Sequence, residues 1–144
     1  MEKDKLKILI GLHKNVKELD RRTLDIARSY GLSFSQFMVL EALYSKGNLS
    51  IGEVREAILS SVGTISLVVK NLEKMGYVKR KTDENDKRVS ILYLTDEGRD
   101  VIDKVIPENE TMIYDYMKDL SKEETATLLS LCLLYTSPSP RDRG

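Results

Sequence analysis

The chain of 144 residues predicts a mainly α-helical fold with one small β-hairpin, and three observations carry that prediction. Apolar residues recur at three- and four-residue spacing through much of the chain. Where such stretches begin, Ser or Thr often stands three residues before Glu or Gln, and several end at glycine. Between Tyr77 and Leu94 the period changes to alternation, in "YVKRK" and "VSILYL", around the charged segment "TDENDKR".

The first element is a long amphipathic helix ending near Gly31, with Leu6, Ile8, Leu9, Leu12, Val16, Leu19, Leu24 and Ile26 as its stripe. Ser33 and Gln36 form a capping box for a second helix, whose apolar face is Phe37, Leu40, Leu43 and Tyr44 and which Gly47 ends. Ser50 and Glu53 open a short third helix. Ser60 and Ser61 offer a fresh N-cap for a fourth, Val62 to Met75, closed by Gly76. The hairpin follows, and Thr95 caps a long helix in which Pro107 is expected to introduce a kink or a break. Ser121 and Glu124 box the last helix, "KEETATLLSLCLL". From Tyr135 on, "YTSPSPRDRG" loses the periodicity; it reads as translated adapter sequence or as a disordered tail, and in the first case the last helix would be cut short.

Composition excludes several classes. A chain this long holds one domain with at most an appended oligomerisation element, and its 41% hydrophobic content can fill a core. No stretch reaches the roughly 20 apolar residues that span a bilayer. Charges scattered through the N-terminal apolar positions argue against a signal peptide, so a cytoplasmic location is expected, with no membrane partner. One Cys and one His cannot build the usual zinc cages, and no cofactor or metal is expected. The carboxylates fall on helical faces without a nucleophile, phosphate-loop or metal spacing beside them, so the chain is not read as an enzyme.

The formal net charge is +0, yet the charge is unevenly placed. Residues 70–88 carry seven bases against four acids, and residues 95–124 carry ten acids against four bases. An anionic partner would therefore meet the centre of the chain. Two helices joined by a short turn form a helix-turn-helix, a common packing unit on its own terms. Followed directly by a hairpin, they form a winged helix, in which the second helix can enter a major groove and the hairpin loop can reach the neighbouring minor groove or backbone. Lys87 and Arg88 then stand at a wing tip, with Asp86 near enough to hold Arg88 extended through a charged hydrogen bond. Taken alone, the same loop is also a solvated turn with weak exposed ion pairs.

The segment "LSIGEVREAILSSVGTISLVVKNLEKMGYVKRKTDENDKRVSILYLTDEGR" resembles the winged helix of the MarR family of bacterial transcription regulators. The resemblance rests on "L-x-x-L-E-K-x-G-Y-V-x-R", on the "D-x-R" of Asp86 and Arg88, and on "L-T-x-x-G" from Leu94 to Gly98. It extends more weakly through "GLSFSQFMVLEAL" to the first helix. It implies a homodimer with interleaved terminal helices, two winged helices on successive turns of a pseudo-palindromic double-stranded DNA operator, and repression relieved by a small molecule or oxidant. On that pattern the chain divides into an N-terminal dimerisation helix, 1–31, a winged helix-turn-helix DNA-binding domain, 32–95, C-terminal dimerisation helices, 96–134, and a tail, 135–144. The outer helical stripes are equally compatible with packing on their own core.

Expected DNA contacts are Ser61, Val62, Gly63, Thr64 and Ser66 in the first turns of the recognition helix, Lys70 one turn on, and Lys87 and Arg88 in the wing. Ile65, Val68, Val69 and Leu72 belong to the core. Leu67 and Lys70 stand where the family often has Arg and Asp, so its base preferences do not transfer. Family members often bind aromatic or phenolic effectors between the dimerisation helices and the winged helix, which makes His13, Tyr30, Phe37, Met38 and Tyr44 candidate ligand contacts. Two functions remain open at this point: a ligand-released repressor, or a winged-helix protein-interaction module without sequence-specific DNA binding.

Overall fold

The computed structural model describes residues 2–58 and 65–136. Its elements are α1 (Glu2–Ser29), α2 (Phe34–Lys46), β1 (Leu49–Ser50), α3 (Ile51–Ile58), α4 (Ile65–Lys74), β2 (Val78–Thr82), β3 (Ser90–Leu94), α5 (Asp96–Tyr116) and α6 (Lys122–Thr136). The mainly helical class with a small β-wing is confirmed. The chain divides into two compact units, one up to Glu110 and one from Thr111 on.

In the first unit the three strands lie in the order β1-β3-β2, all antiparallel, with Leu49 opposite Leu92 and Arg80 opposite Leu92 on the other side. Leu92 is fully buried because the central strand is flanked on both edges and packed against the helices. The core gathers Ala27 of α1, Leu40 and Leu43 of α2, Val54 and Ile58 of α3, Val69 and Leu72 of α4, and Ile102 and Val105 of α5. Burial of each such side chain is worth about 1.5–3 kcal/mol against exposure, which is what fixes the helices around the sheet.

The local start signals act as written in the sequence. Ser33 Oγ accepts from the Gln36 N–H at 3.1 Å, and Gln36 Oε1 accepts from the Ser33 N–H at 2.9 Å. Ser50 with Glu53 and Ser121 with Glu124 repeat the exchange at 2.9–3.1 Å. Gly76 ends the α4 segment at φ 82, a left-handed conformation that lets the Tyr77 N–H reach back to the Leu72 carbonyl at 3.0 Å.

Two expectations are corrected. Pro107 does not divide its helix, since α5 runs unbroken from Asp96 to Tyr116. Side chains on both sides of the proline are tied to the first unit: Val105 is fully buried, and Asn109 Oδ1 accepts from the buried Thr23 hydroxyl at 2.9 Å. Those ties outweigh one lost backbone hydrogen bond. The second correction is β1, which adds a third strand to the expected two-stranded hairpin.

The N-terminal half of α1 leaves its stripe uncovered: Leu6, Ile8, Leu9, Ile10, Leu12 and Val16 are each more than half exposed. In the second unit Leu128, Leu129, Leu131, Leu133 and Leu134 of α6 are also exposed. Residues 137–144 of the irregular tail lie outside the described residues, while Tyr135 and Thr136 continue α6.

Candidate nucleic-acid interface

Helix α4 presents two unlike faces. Ile65, Val69 and Leu72 are buried and Val68 packs against the same core, so the positions left outward are Ser66, Leu67, Lys70 and Lys74, all exposed. The amphipathic period thus turns a hydroxyl, an apolar side chain and two cations to solvent. Ser61, Val62, Gly63 and Thr64, expected as contacts, lie outside the described residues.

The wing is built from β2 and β3, with their loop closed by its own side chains. Asp83 Oδ2 accepts from the N–H groups of Asn85 at 3.2 Å and Asp86 at 2.8 Å, and the Asp83 N–H donates to the Val89 carbonyl at 2.9 Å. This short-range bonding is the reason a polar loop can hold one shape at the end of a hairpin. Asp86 in turn accepts from the Arg88 backbone N–H at 3.0 Å and from its guanidinium through Nε at 3.1 Å and Nη2 at 3.2 Å. The Arg88 guanidinium, aided by its backbone N–H, holds the Asp86 carboxyl below the usual carboxylate range. The side chain of Arg88 is nevertheless 90% exposed, a cation oriented but still open to a partner. Lys87 beside it is exposed as well.

A contact not foreseen from the sequence links the two parts. Glu73 of α4 accepts from Arg80 of β2 through Nη2 at 2.8 Å and Nε at 3.2 Å, so the wing root is pinned to the outward-facing helix. The residues are seven apart with a left-handed turn between them, a separation at which no helical or strand spacing rule pairs them. Thr95, at the other wing root, caps α5 through the Gly98 N–H at 3.0 Å and donates its hydroxyl to the Gly76 carbonyl.

The five ligand candidates do not form one cluster. Phe37 is buried in the core, Met38 packs against it, and His13 is exposed on the uncovered half of α1. Tyr30, at the end of α1, donates its hydroxyl to the Glu108 carboxylate, and the Tyr44 phenol of α2 faces the Asp103 carboxylate. These carboxylates push both phenols above their ordinary values, each chiefly through its hydrogen bond, and so keep them neutral donors. The Arg99 guanidinium lies 5.9 Å from the centroid of the Tyr44 ring. An open groove of about 760 Å³, lined by Glu73, Lys79, Tyr93, Asp96 and Glu97 among others, contains none of the five.

Residues 23–105 match the model of a family described as transcriptional regulator SarA/Rot. The chain is 29% identical over 124 residues to the HTH-type transcriptional regulator MhqR of Bacillus subtilis, covering 86% of each protein. Its fold is similar to that of a MarR-like transcription regulator from Bacillus cereus, with a TM-score of 0.81 and 20% identity over 92% of this chain and 96% of that one. It is also similar in fold to BpsR of Bordetella bronchiseptica, whose DNA binding is regulated by 6-hydroxynicotinic acid, with a TM-score of 0.70 and 21% identity over 88% and 99% of the two chains.

Proposed function

The chain belongs to the SarA/Rot family of transcriptional regulators, within the MarR-type winged-helix regulators, and on that premise we propose that it is a homodimeric, sequence-specific DNA-binding repressor released by a small effector. As a transcription regulator it is not an enzyme. The observation that carries the DNA reading is Arg88: an exposed guanidinium aimed by two bonds from Asp86, at the tip of a wing that Glu73 and Arg80 anchor to α4. An oriented cation of this kind suits the negative potential of a narrow minor groove, while Lys87 meets the backbone. Ser66 and Lys70, with Ser61, Val62, Gly63 and Thr64, then face the major groove.

The proposed dimer uses residues 1–31 and 96–134, with residues 32–95 as the DNA-binding domain. Apolar stripes on α1 and α6 that remain uncovered in one protomer support it, because burying them against a second copy removes that surface from water. The operator is double-stranded and pseudo-palindromic, matching the two-fold symmetry of the protein. In this proposal the effector acts at Tyr30 and Tyr44, which face the Glu108 and Asp103 carboxylates of α5, with Phe37 and Met38 in the core beside them and His13 further along α1. A phenolic ligand donates to a carboxylate as tyrosine does, so it can replace the Tyr30 bond to Glu108, or take the place of the Tyr44 phenol beside Asp103, and loosen α5. Among the described residues no helix is long and apolar enough to cross a membrane, and the proposed place of action is the cytoplasm.

Zero formal net charge favours a second reading, a winged-helix protein-interaction module without sequence-specific DNA binding. The salt dependence of duplex affinity separates the two. If Lys70, Lys87 and Arg88 of both protomers neutralise phosphates, log K falls with log salt with a slope of about −5, and Arg88→Ala flattens it by about 2 while circular dichroism stays unchanged. A flat slope for the wild type, or identical slopes for wild type and variant, contradicts the wing assignment.

A further inference from the structure

We infer that Leu67 is a specificity-determining residue that reads the C5-methyl group of a thymine in the major groove. This inference rests on the DNA-binding reading above. Leu67 sits in the first turn of the described α4, on the side turned away from the buried stripe of Ile65, Val69 and Leu72, and is 55% exposed. Outside α1, α6 and residues 114–117, the other exposed large apolar side chains among the described residues are Tyr44 and Met75, each 39% exposed. Tyr44 faces Asp103 and Met75 follows the helix, which leaves Leu67 as the exposed apolar side chain on the outward face of α4.

The surroundings say what kind of partner fits. Lys70 and Lys74 follow Leu67 by three and seven residues, so they line up behind it on one face and favour an anionic surface. Ser66 beside it can donate or accept a hydrogen bond. Between phosphates held by the lysines and base edges met by the first turn, a leucine has no hydrogen bond to give. The apolar group on the major-groove edges of DNA bases is the thymine methyl, and methyl against isobutyl is the pairing that removes both from water. A leucine at this place thus selects for thymine over cytosine by contact, and against bases that present only donors and acceptors there by leaving those groups unpaired.

The test begins with an operator selected from random duplexes by the wild-type protein. Each operator thymine is then replaced, symmetrically in both half-sites, by deoxyuridine, which deletes the methyl and keeps the base pair. Burial of one methyl corresponds to about a fourfold change per half-site, so about fifteenfold for the pair. The expected result is one symmetric thymine position at which uracil weakens the wild type by that factor and leaves Leu67→Ala unaffected, with Leu67→Ala binding the thymine operator as weakly as the wild type binds the uracil one. Wild-type affinity insensitive to uracil at every thymine overturns the inference while leaving the DNA-binding reading intact. An equal loss in both proteins overturns it too, because the methyl is then read by another residue. Failure to select any operator removes the DNA reading itself, and with it this role for Leu67, in favour of a protein partner. The uracil series needs no variant, so a misfolded Leu67→Ala cannot rescue the inference.

Discussion

Replacing Gly98 by alanine is expected to destabilise the protein although it puts a better helix former into a helix. Gly98 is buried in the first turn of α5, and a Cβ built there lies 2.0 Å from the Tyr77 carbonyl oxygen, 2.9 Å from its carbon and 3.1 Å from its Cα. All three are backbone atoms of the segment that joins α4 to β2, so no flexible side chain can move aside. That same carbonyl accepts the Thr95 N–H at 3.1 Å, and the bond suffers when the carbonyl is pushed away. An overpacked contact costs about 1–3 kcal/mol and the weakened hydrogen bond about 1 kcal/mol. Alanine returns at most about 1 kcal/mol of helix propensity. The net loss is about 2 kcal/mol, or a fall in Tm of about 6 °C for a chain of this size. Thermal unfolding followed by circular dichroism at one fixed protein concentration reads it directly. Gly52→Ala is the control: the nearest atom to its added Cβ is Ser50 Oγ at 3.9 Å, so the same substitution should stabilise by about 0.4–1 kcal/mol. A Gly98→Ala protein as stable as the wild type, or two variants that shift Tm alike, refutes the close-approach reasoning.

Glu18 accepts from Arg21 and Arg22, both at 2.7 Å, and these bonds lower its pKa from 4.5 to about 2. Because the folded value is the lower one, its contribution to stability is present above pH 4.5 and is lost as pH falls toward 2. Carboxyl NMR should give a midpoint near 2 for Glu18, and a midpoint in the ordinary range contradicts the pairing. The Glu73 and Arg80 side chains remain 29% and 37% exposed, so a double-mutant cycle on denaturant unfolding should give a favourable coupling of about 0.2–1 kcal/mol. Zero coupling would mean that the contact does not hold the wing root to α4.

Much of the helical plan was legible because its signals are local. The capping boxes at Ser33, Ser50 and Ser121 bond within four residues, and the same chemistry works wherever that spacing occurs. The Asp86–Arg88 pair was legible for the same reason, since two residues separate its members and the loop supplies the geometry. Leu49 and Ser50 were not, because a two-residue strand has no period of its own and exists by pairing with Leu92 and Ile91. The break offered at Pro107 does not occur, because a local rule about one backbone bond takes no account of Thr23, 86 residues before Asn109, bonding to the helix just past the proline. The Glu73–Arg80 link and the approach of Gly98 to Tyr77 share that origin: both arise where the chain returns upon itself after the left-handed Gly76. Along α4 the assignment of Ile65, Val68, Val69 and Leu72 to the core agrees with the fold, in which Val68 packs against the core that holds the other three, and the face that remains outward carries Ser66, Leu67 and Lys70. What the sequence did not show is that the Tyr30 and Tyr44 phenols face the Glu108 and Asp103 carboxylates, because those partners lie many residues further along the chain.

The central claim is that two copies of this winged helix together read one stretch of duplex DNA. Selection from a random duplex pool at about physiological salt tests it most directly, because screened backbone attraction then adds little to enrichment. The account predicts an enriched inverted repeat with half-site centres about 10 base pairs apart, one helical turn, bound by two protomers. A folded, dimeric sample that enriches no sequence contradicts it.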